Sequence, residues 1–343
     1  MEELNDYLKN IRPINLKKLE KTIKTSVKEP LTKKAKEYKI IIRENPAFFS
    51  RVRINPEREL RKIETIKPVK LKKIKECFFC DPKNKCAKFS KKGLKEIYFL
   101  NDSVAFSNLF PAGEIHGVIV YNYKKHNLLP KDISLQNWID GLNLVKEVGK
   151  DSKKKYVSSH INYGPKAAAS LTHFHGQFHC ENKVMSKTNL SMKLTKKLSG
   201  STKKYWKSWI KSLIKENLII DFDLETKTVF YVEWAPVFSK VELVIMNMEN
   251  PSFLNLDEKE IKSIAKYLKL GIKTIMENVS DQFNVVNLSA GKKDDFCNQF
   301  RIFPRESTSR GIKSWEGYLE FMNETVPHIN PKKIAEITRS VMN

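Results

Sequence analysis

The sequence predicts an α+β protein whose antiparallel, half-barrel-like sheets are flanked by helices and whose chain contains two similar halves. Short apolar, β-branched runs alternate with two longer runs at helical spacing, and this order recurs after about residue 217. A chain of 343 residues with 41% hydrophobic side chains is long enough for two domains or two fused repeats.

The first half is predicted from β-branched and aromatic runs and one amphipathic run. The predicted strands are Tyr38–Ile42, Tyr98–Phe110, Gly117–Tyr121, Tyr156–Asn162 and His173–Cys180, and the predicted helix is about Leu135–Gly149. Residues 1–40 are dense in charge, and we interpret them as a basic extension outside the core. The first half then covers residues 41–200.

The second half, residues 201–343, repeats the pattern. Its predicted strands are Val229–Trp234, Val241–Met246, Phe283–Leu288 and Asn298–Phe303, and its predicted helix is Leu256–Asn278. Residues 181–217, rich in lysine and serine, are interpreted as a mobile insertion or a short amphipathic helix. The run Gln299–Pro304 takes the place of the histidine-bearing strand and has no histidine, so the second half is expected to support an active first half.

Composition limits the classes of function. No run of 18 apolar residues occurs and the N-terminus lacks a signal-peptide layout, so we expect a cytoplasmic protein without a membrane partner. Five cysteines suit metal binding better than a disulfide framework. The net charge of +24 favours anionic ligands, but the lysines are spread along the chain, as on a solvated surface. Nucleic acid is therefore a minor alternative partner.

Histidines and a glutamine cluster on the predicted strand His173–Cys180. Alternation places four polar side chains on one face: His173, His175, Gln177 and His179. A neutral imidazole is a nucleophile toward phosphorus and can pass the group onward. Gln177 can donate to a phosphoryl oxygen in the transition state, and Gly176 leaves room for a phosphate. A strand that only binds metal is the alternative.

The pair Cys77-Phe-Phe-Cys80 has the gap that lets two sulfurs reach one tetrahedral ion, and zinc is the metal expected. His126 and His173 are the candidates for the other two ligands, with Cys86 as an alternative third ligand. The alternative interpretation is that the cysteines are buried simply as apolar residues.

These residues resemble galactose-1-phosphate uridylyltransferase and its relatives, a branch of the histidine triad (HIT) superfamily with two fused repeats. The run from Asn162-Tyr-Gly164 through Ser170 to His173-x-His175-x-Gln177 is similar to the family's asparagine-glycine, serine and His-Pro-His-x-Gln run. The cysteine pair and His126 resemble its zinc site, whose fourth ligand corresponds to His173. The resemblance spans about residues 40–335.

The resemblance implies that His175 is the nucleotidylated residue and that zinc occupies a closed structural site. Asn162 and Ser170 would hold the strand and the phosphate, and Gln177 would stabilise phosphoryl oxygens. The segment from Lys313 to Tyr318 resembles the one that contacts the substrate phosphate and sugar. Candidates for neutralising phosphate charge are Arg51, Arg53 and Lys313, with an exposed surface arginine as the alternative for each arginine.

The implied function is nucleotidyl transfer in carbohydrate metabolism, with galactose metabolism as the family's example. His175 attacks a nucleoside-diphosphate sugar, and a hexose 1-phosphate then takes the nucleoside monophosphate, expected to be UMP. One alternative is a phosphorylase or hydrolase of dinucleotides or nucleotide sugars. Another is a zinc-stabilised nucleic-acid-binding protein with a silent site, to which Trp206 and Trp209 among lysines would contribute. The resemblance also implies a homodimer.

Some residues depart from the family pattern. Phe174 stands where uridylyltransferases have proline, and Gln299 and Arg301 stand where many members have the histidines of a second metal site. We therefore expect no second metal. His179 could stack or hydrogen-bond near the nucleotide or serve only as a structural histidine, and no role is assigned to His116, His160 or His328.

Overall fold

The structure is a computed structural model that describes residues 1–28, 35–55, 77–169, 171–305, 322–325 and 330–342. Ser170, Lys313 and His328 lie outside these residues. The strands are β1 (Glu20–Lys28), β2 (Ala35–Asn45), β3 (Ser50–Ile54), β4 (Tyr98–Leu100), β5 (Ser103–Ser107), β6 (His116–Val120), β7 (Tyr156–Tyr163), β8 (His175–Glu181), β9 (Ile219–Asp223), β10 (Thr228–Val232), β11 (Leu243–Asn247), β12 (Phe283–Leu288), β13 (Asn298–Pro304) and β14 (Glu324–Thr325). The helices are α1 (Glu2–Tyr7), α2 (Pro82–Lys85), α3 (Leu135–Asp151), α4 (Ser186–Ser199), α5 (Thr202–Lys215), α6 (Glu258–Asn278) and α7 (Pro331–Met342).

Ten of the described strands form one antiparallel sheet in the order β4-β5-β6-β8-β7-β12-β13-β11-β10-β9. The first five and the last five follow the same internal order when read outward from the centre. The halves join where β7 pairs with β12, with Asn162 opposite Asn284. This arrangement confirms the predicted α+β fold and its internal repeat, and it joins the two predicted sheets into one because each half covers the inner edge of the other.

The long helices α3 and α6 occupy equivalent places in the two halves and pack against each other. Helix α3 begins at a serine cap, where Ser134 accepts from the backbone N–H of Asn137, and α6 begins at a capping box formed by Asp257 and Glu260. Their apolar sides pack on one face of the sheet. The polar residues of β8 lie on the other face, which these helices leave uncovered.

Residues 186–215 form two packed helices, α4 and α5, so the mobile-insertion interpretation of this stretch is wrong. Helix α5 begins at Ser201, which accepts from the backbone N–H of Lys204. Trp206 and Trp209 are both 0% exposed and lie in the main core. Because buried indoles cannot stack on bases, these tryptophans give no support to nucleic-acid binding.

The N-terminal residues contribute to the core, contrary to the interpretation of residues 1–40 as an extension outside it. Leu4 and Leu8 are 0% exposed, and Leu16 is also buried. The carbonyl of Ile14 accepts from the Ser212 hydroxyl on α5 at 2.9 Å. The sequence pattern did not reveal this contribution, because only a few leucines face inward among many charged residues. Beyond α1, β1 and β2 form a hairpin in a second sheet of order β1-β2-β3-β14.

Among the described residues, no helix has the length and apolarity needed to cross a lipid bilayer.

Candidate active site and metal centre

Strand β8 lies between β6 and β7, and its register decides which side chains share the sheet face that α3 and α6 leave uncovered. We refer to this face as the open face. Gln177 is opposite Val118 on β6 and opposite His160 on β7. His175 and His179, two residues to either side, therefore share the face of Gln177. His173 precedes the first residue of β8, so the predicted strand began two residues too early. This difference is important because His173 turns toward the cysteines.

His175 is a buried imidazole with one engaged nitrogen. Its Nδ1 donates to the backbone carbonyl of His173 at 2.8 Å, which leaves the lone pair on Nε2. Phe79 packs edge-on against the ring at a centroid distance of 5.1 Å. Burial lowers the pKa of His175 below its ordinary value. The geometry thus presents a buried imidazole with its proton on Nδ1 and its lone pair on Nε2.

Four ligand-bearing side chains converge beside His175, and we refer to them as the thiol–imidazole cluster: Cys77, Cys80, His126 and His173. His173 Nδ1 is 3.5 Å from both sulfurs and 3.3 Å from His126 Nδ1. A tetrahedral zinc with ordinary bond lengths requires sulfur–nitrogen separations of about 3.5 Å and nitrogen–nitrogen separations of about 3.3 Å. The cluster is therefore positioned to bind a metal ion.

The surroundings of the cluster also suit a metal. His173 Nε2 donates to the carbonyl of Asn122 at 2.8 Å, which fixes the tautomer and leaves Nδ1 free to ligate. Burial, followed by the neighbouring Cys77 thiolate, raises the pKa of Cys80 to about 11. Two thiolates at this spacing repel each other, and a bound cation would remove that penalty.

Cys86 lies outside the thiol–imidazole cluster. Its sulfur donates to the carbonyl of Phe78 at 3.4 Å. The described residues that can share one ion include Cys77 and Cys80 but not Cys86. The structure therefore favours the ligand set with His126 and His173 over the alternative that used Cys86.

Two side chains hold Gln177, and the sequence analysis assigned no role to either of them. Its Oε1 is 2.7 Å from His116 Nε2 and 3.2 Å from Asn108 Nδ2. Asn108 follows β5 and His116 begins β6, so both lie on the strand neighbouring β8 or its preceding loop. No local signal in the sequence pairs residues 61 positions apart.

Asn162 lies on the same face of β7 as His160, level with His175 when the register is continued. Its Oδ1 accepts from Asn284 of the second half at 2.7 Å. Gly176 faces the other side: a Cβ there would meet the His160 carbonyl at 3.0 Å and Ile119 at 3.2 Å. The glycine therefore permits close strand packing, and the prediction that it leaves room for a phosphate is wrong.

Phe174 also faces the core. It stacks on Tyr121 at a ring distance of 5.2 Å and is 3% exposed. The replacement of the family's proline by phenylalanine therefore serves packing behind the strand and leaves the open face of β8 unchanged.

Among the described residues, the structure does not place the predicted phosphate-binding arginines on β8 or on its neighbouring strands. Arg51 and Arg53 lie on β3 in the four-stranded sheet, and Arg51 Nε is 3.3 Å from Glu44. Ser170 and Lys313 lie outside the described residues. The roles of these four residues remain predictions.

Strand β13 is the second-half equivalent of β8 because it lies between β12 and β11 as β8 lies between β7 and β6. At this position, Arg301 is 0% exposed, and its Nη1 lies 2.8 Å from Glu242 and 3.2 Å from Glu233. Gln299 accepts from the same guanidinium at 2.9 Å. A buried ion network occupies the site that carries histidines in the first half.

A tandem α+β repeat with an open-faced histidine strand beside a thiol–imidazole cluster defines the HIT-like class of fold, in its galactose-1-phosphate uridylyltransferase-like form. Solved structures of that form confirm this fold. An ADP-glucose phosphorylase from Arabidopsis thaliana with bound ADP-glucose has a TM-score of 0.65 and 17% identity, covering 87% of this chain and 97% of that chain. A galT-like protein from the same plant has a TM-score of 0.63 and 17% identity, covering 87% and 98%.

A uridylyltransferase structure has a TM-score of 0.59 and 14% identity, covering 88% of this chain and 98% of that chain. No protein-family model matches the chain, and no curated protein matches it. Structural similarity at sequence identities this low establishes a shared fold and nothing more. The function has to be argued from the site.

Proposed function

We propose that this protein is a nucleotidyltransferase that carries a nucleoside monophosphate on His175. The observation that supports this most directly is the hydrogen bond from His175 Nδ1 to the His173 carbonyl, at 2.8 Å. This bond commits the proton to Nδ1 and the lone pair to Nε2. When Nε2 bonds to phosphorus the ring becomes cationic, and the same carbonyl then stabilises the charge.

The reaction proceeds in two in-line displacements. His175 Nε2 attacks the α-phosphorus of a nucleoside-diphosphate sugar, an N–P bond forms, and the P–O bond to the sugar phosphate breaks with its electron pair on the leaving oxygen. A phosphate oxygen of the acceptor then attacks the same phosphorus, and the N–P electron pair returns to Nε2. Gln177 donates to a non-bridging oxygen as charge develops, and Asn162 steadies the phosphate from β7.

Zinc is the proposed metal of the thiol–imidazole cluster because two thiolates and two imidazoles at tetrahedral separations are its preferred donor set. Cys77, Cys80, His126 and His173 would hold it, and a bound ion would tie the segment of Cys77 and Cys80 to the start of β8. Phe79, carried between these cysteines, then packs on His175 at 5.1 Å. A bound ion would thereby help to keep Phe79 in place against His175.

The acceptor is a hexose 1-phosphate in the transferase we propose, with UMP as the transferred group. Inorganic phosphate is the second candidate acceptor, because one structural neighbour is an ADP-glucose phosphorylase. The two reactions share the first displacement and differ only in the second. Cytoplasmic location and homodimerisation remain proposals that accompany this function.

The test is the intact mass of the purified protein after brief incubation with UDP-glucose, UDP-galactose, ADP-glucose or diadenosine tetraphosphate. We expect an acid-labile nucleoside monophosphate adduct that identifies the base and that His175→Ala lacks. Chasing the adduct with galactose 1-phosphate or inorganic phosphate identifies the acceptor. A folded, zinc-loaded protein that forms no adduct with any donor would overturn the proposal.

A further inference from the structure

Beyond the proposed nucleophile, three imidazoles cluster on the open face: His116 on β6, His160 on β7 and His179 on β8. Their ligand atoms lie within 4.8 Å of one another. His179 stacks on His116 at a ring distance of 4.1 Å with planes 21° apart, and His160 stacks on His179 at 5.5 Å. Neither the proposed reaction nor the thiol–imidazole cluster uses these rings.

The geometry does not suit a metal centre at these three histidines. Nearly parallel rings direct their in-plane lone pairs side by side, whereas ligands of one ion must converge. Both nitrogens of His116 are also engaged, since Nδ1 accepts from the backbone N–H of Ala112 at 3.1 Å and Nε2 contacts Gln177. Freeing His116 to ligate would break both bonds.

The contact with Ala112 fixes the proton on His116. A backbone N–H can only donate, so His116 Nδ1 is the acceptor and Nε2 carries the hydrogen. The atom of Gln177 that faces Nε2 at 2.7 Å must then be the oxygen Oε1. This decides the orientation of an amide whose two ends otherwise have the same shape.

A second, independent contact gives the same orientation. The backbone N–H of Phe110 donates to Asn108 Oδ1 at 2.9 Å, which identifies the other end of that amide as Nδ2. Asn108 Nδ2 then donates to Gln177 Oε1 at 3.2 Å. Two backbone N–H groups of the loop between β5 and β6 thus set the direction of both donors to Gln177.

We infer that His116 and Asn108 are positioning residues that hold Gln177 with its Nε2 hydrogens toward the phosphate site of His175. The two ends of a planar amide diverge, so an Oε1 held by these donors leaves Nε2 as the end available to substrate. A reversed amide would present an oxygen to the phosphoryl oxygens and repel them. This inference rests on the proposed function, in which Gln177 stabilises the transferred phosphoryl group.

Burial, with the neighbouring imidazoles, lowers the pKa of both His160 and His179 to about 4. His160 and His179 are therefore neutral at physiological pH. His179 packs against the His116 ring, and His160 packs against His179, without either adding charge next to the phosphate site.

The experiment measures the single-turnover rate of adduct formation on His175, together with the donor Kd, in a double-mutant cycle. His116→Phe keeps a ring against His179 but removes the donor, and we expect a rate about tenfold to a hundredfold lower with a Kd changed less than about threefold. Gln177→Ala lowers the rate about a hundredfold, and adding His116→Phe to it causes no further loss. His116→Gln, which returns an amide donor near the Nε2 position, recovers most of the rate.

Additive losses in the double variant, or equal losses in His116→Phe and His116→Gln, would overturn the inference. So would a second equivalent of bound zinc that His116→Phe abolishes. If the wild type forms no adduct with any donor, the proposed function fails, and the tautomer of His116 is then read from nitrogen-15 NMR of the histidine rings. Hydrogen on Nε2 supports the orientation of Gln177, and hydrogen on Nδ1 overturns it.

Discussion

The carbonyl oxygen of His173 lies 2.8 Å from Nδ1 of His175, so a member of the thiol–imidazole cluster holds the neighbouring imidazole through its own backbone. The His173 ring faces the two cysteines while its carbonyl faces β8. We therefore expect an ion bound by the His173 ring also to restrict the orientation of the His175 imidazole. This link connects metal binding to the proposed chemistry.

The first prediction concerns metal content. We expect the purified protein to contain one zinc per chain and Cys80→Ser to lose it, because a missing ligand leaves the tetrahedral site incomplete. The measurement is elemental analysis together with thermal unfolding, in which the variant should melt at lower temperature. Cys86→Ser is the matched control, since that sulfur contacts the Phe78 carbonyl outside the cluster. Loss of zinc from Cys86→Ser with retention in Cys80→Ser would contradict the assignment.

The second prediction concerns metal removal. Chelation should lower the rate of adduct formation on His175, about tenfold or more, because the His173 carbonyl and Phe79 lose their fixed positions. Circular dichroism checks that the chelated protein keeps its secondary structure, and zinc added back should restore the rate. A folded, metal-free protein that reacts at the full rate would show that the metal does not organise the nucleophile.

The third prediction concerns the buried ion network of the second half. Arg301 carries one charge between two buried carboxylates, and Glu242 also accepts from the backbone N–H groups of Val237 and Phe238. We expect Glu242→Gln to lower the free energy of unfolding by about 3–5 kcal/mol, because it leaves a buried cation poorly compensated. Glu233→Gln should cost less, about 1–3 kcal/mol, because its amide can accept from only one of the two donors, Trp209 Nε1 and Arg301 Nη1. Denaturant unfolding measures both, and equal losses would refute this asymmetry.

The fourth prediction follows from the pKa of Glu233. Burial raises this pKa from an ordinary 4.5 to about 7, against the opposing effect of Arg301. Between pH 4.5 and about pH 7 the folded protein keeps this proton, whereas the unfolded chain has lost it. The contribution of this proton to the free energy of unfolding is therefore present at low pH and is lost as the pH rises through 7. Unfolding free energies of wild type and Glu233→Gln, compared between about pH 5 and pH 8, should show the wild type losing stability relative to the variant. A difference that does not vary with pH would contradict the shift.

The fifth prediction concerns the N-terminal segment. Leu4 and Leu8 are 0% exposed, so replacing either with alanine should lower the free energy of unfolding by about 2–5 kcal/mol. Leu190→Ala is the control, because that leucine is 39% exposed on α4 and should cost little. Chemical denaturation of the three variants provides the measurement. Unchanged stability in Leu4→Ala and Leu8→Ala would return this segment to the status of an extension.

The sequence by itself predicted what depends on short-range pattern. Alternation along residues 173–180 placed His175, Gln177 and His179 on one face, and the Cys-x-x-Cys spacing identified two of the clustered ligands. The recurrence of strands and helix predicted the two halves, because periods of 2 and 3.6 are properties of local backbone geometry.

Tertiary structure decided what depends on strand neighbours and on burial. The contacts of His116 and Asn108 with Gln177 exist only because β8 is inserted beside β6, and they span 61 and 69 positions. Burial likewise assigned Trp206 and Leu4 to the core, although both lie in segments dense in lysine or acid. Local sequence records which side chains can donate, accept or ligate, but the partner of each is fixed by the order of strands in the sheet.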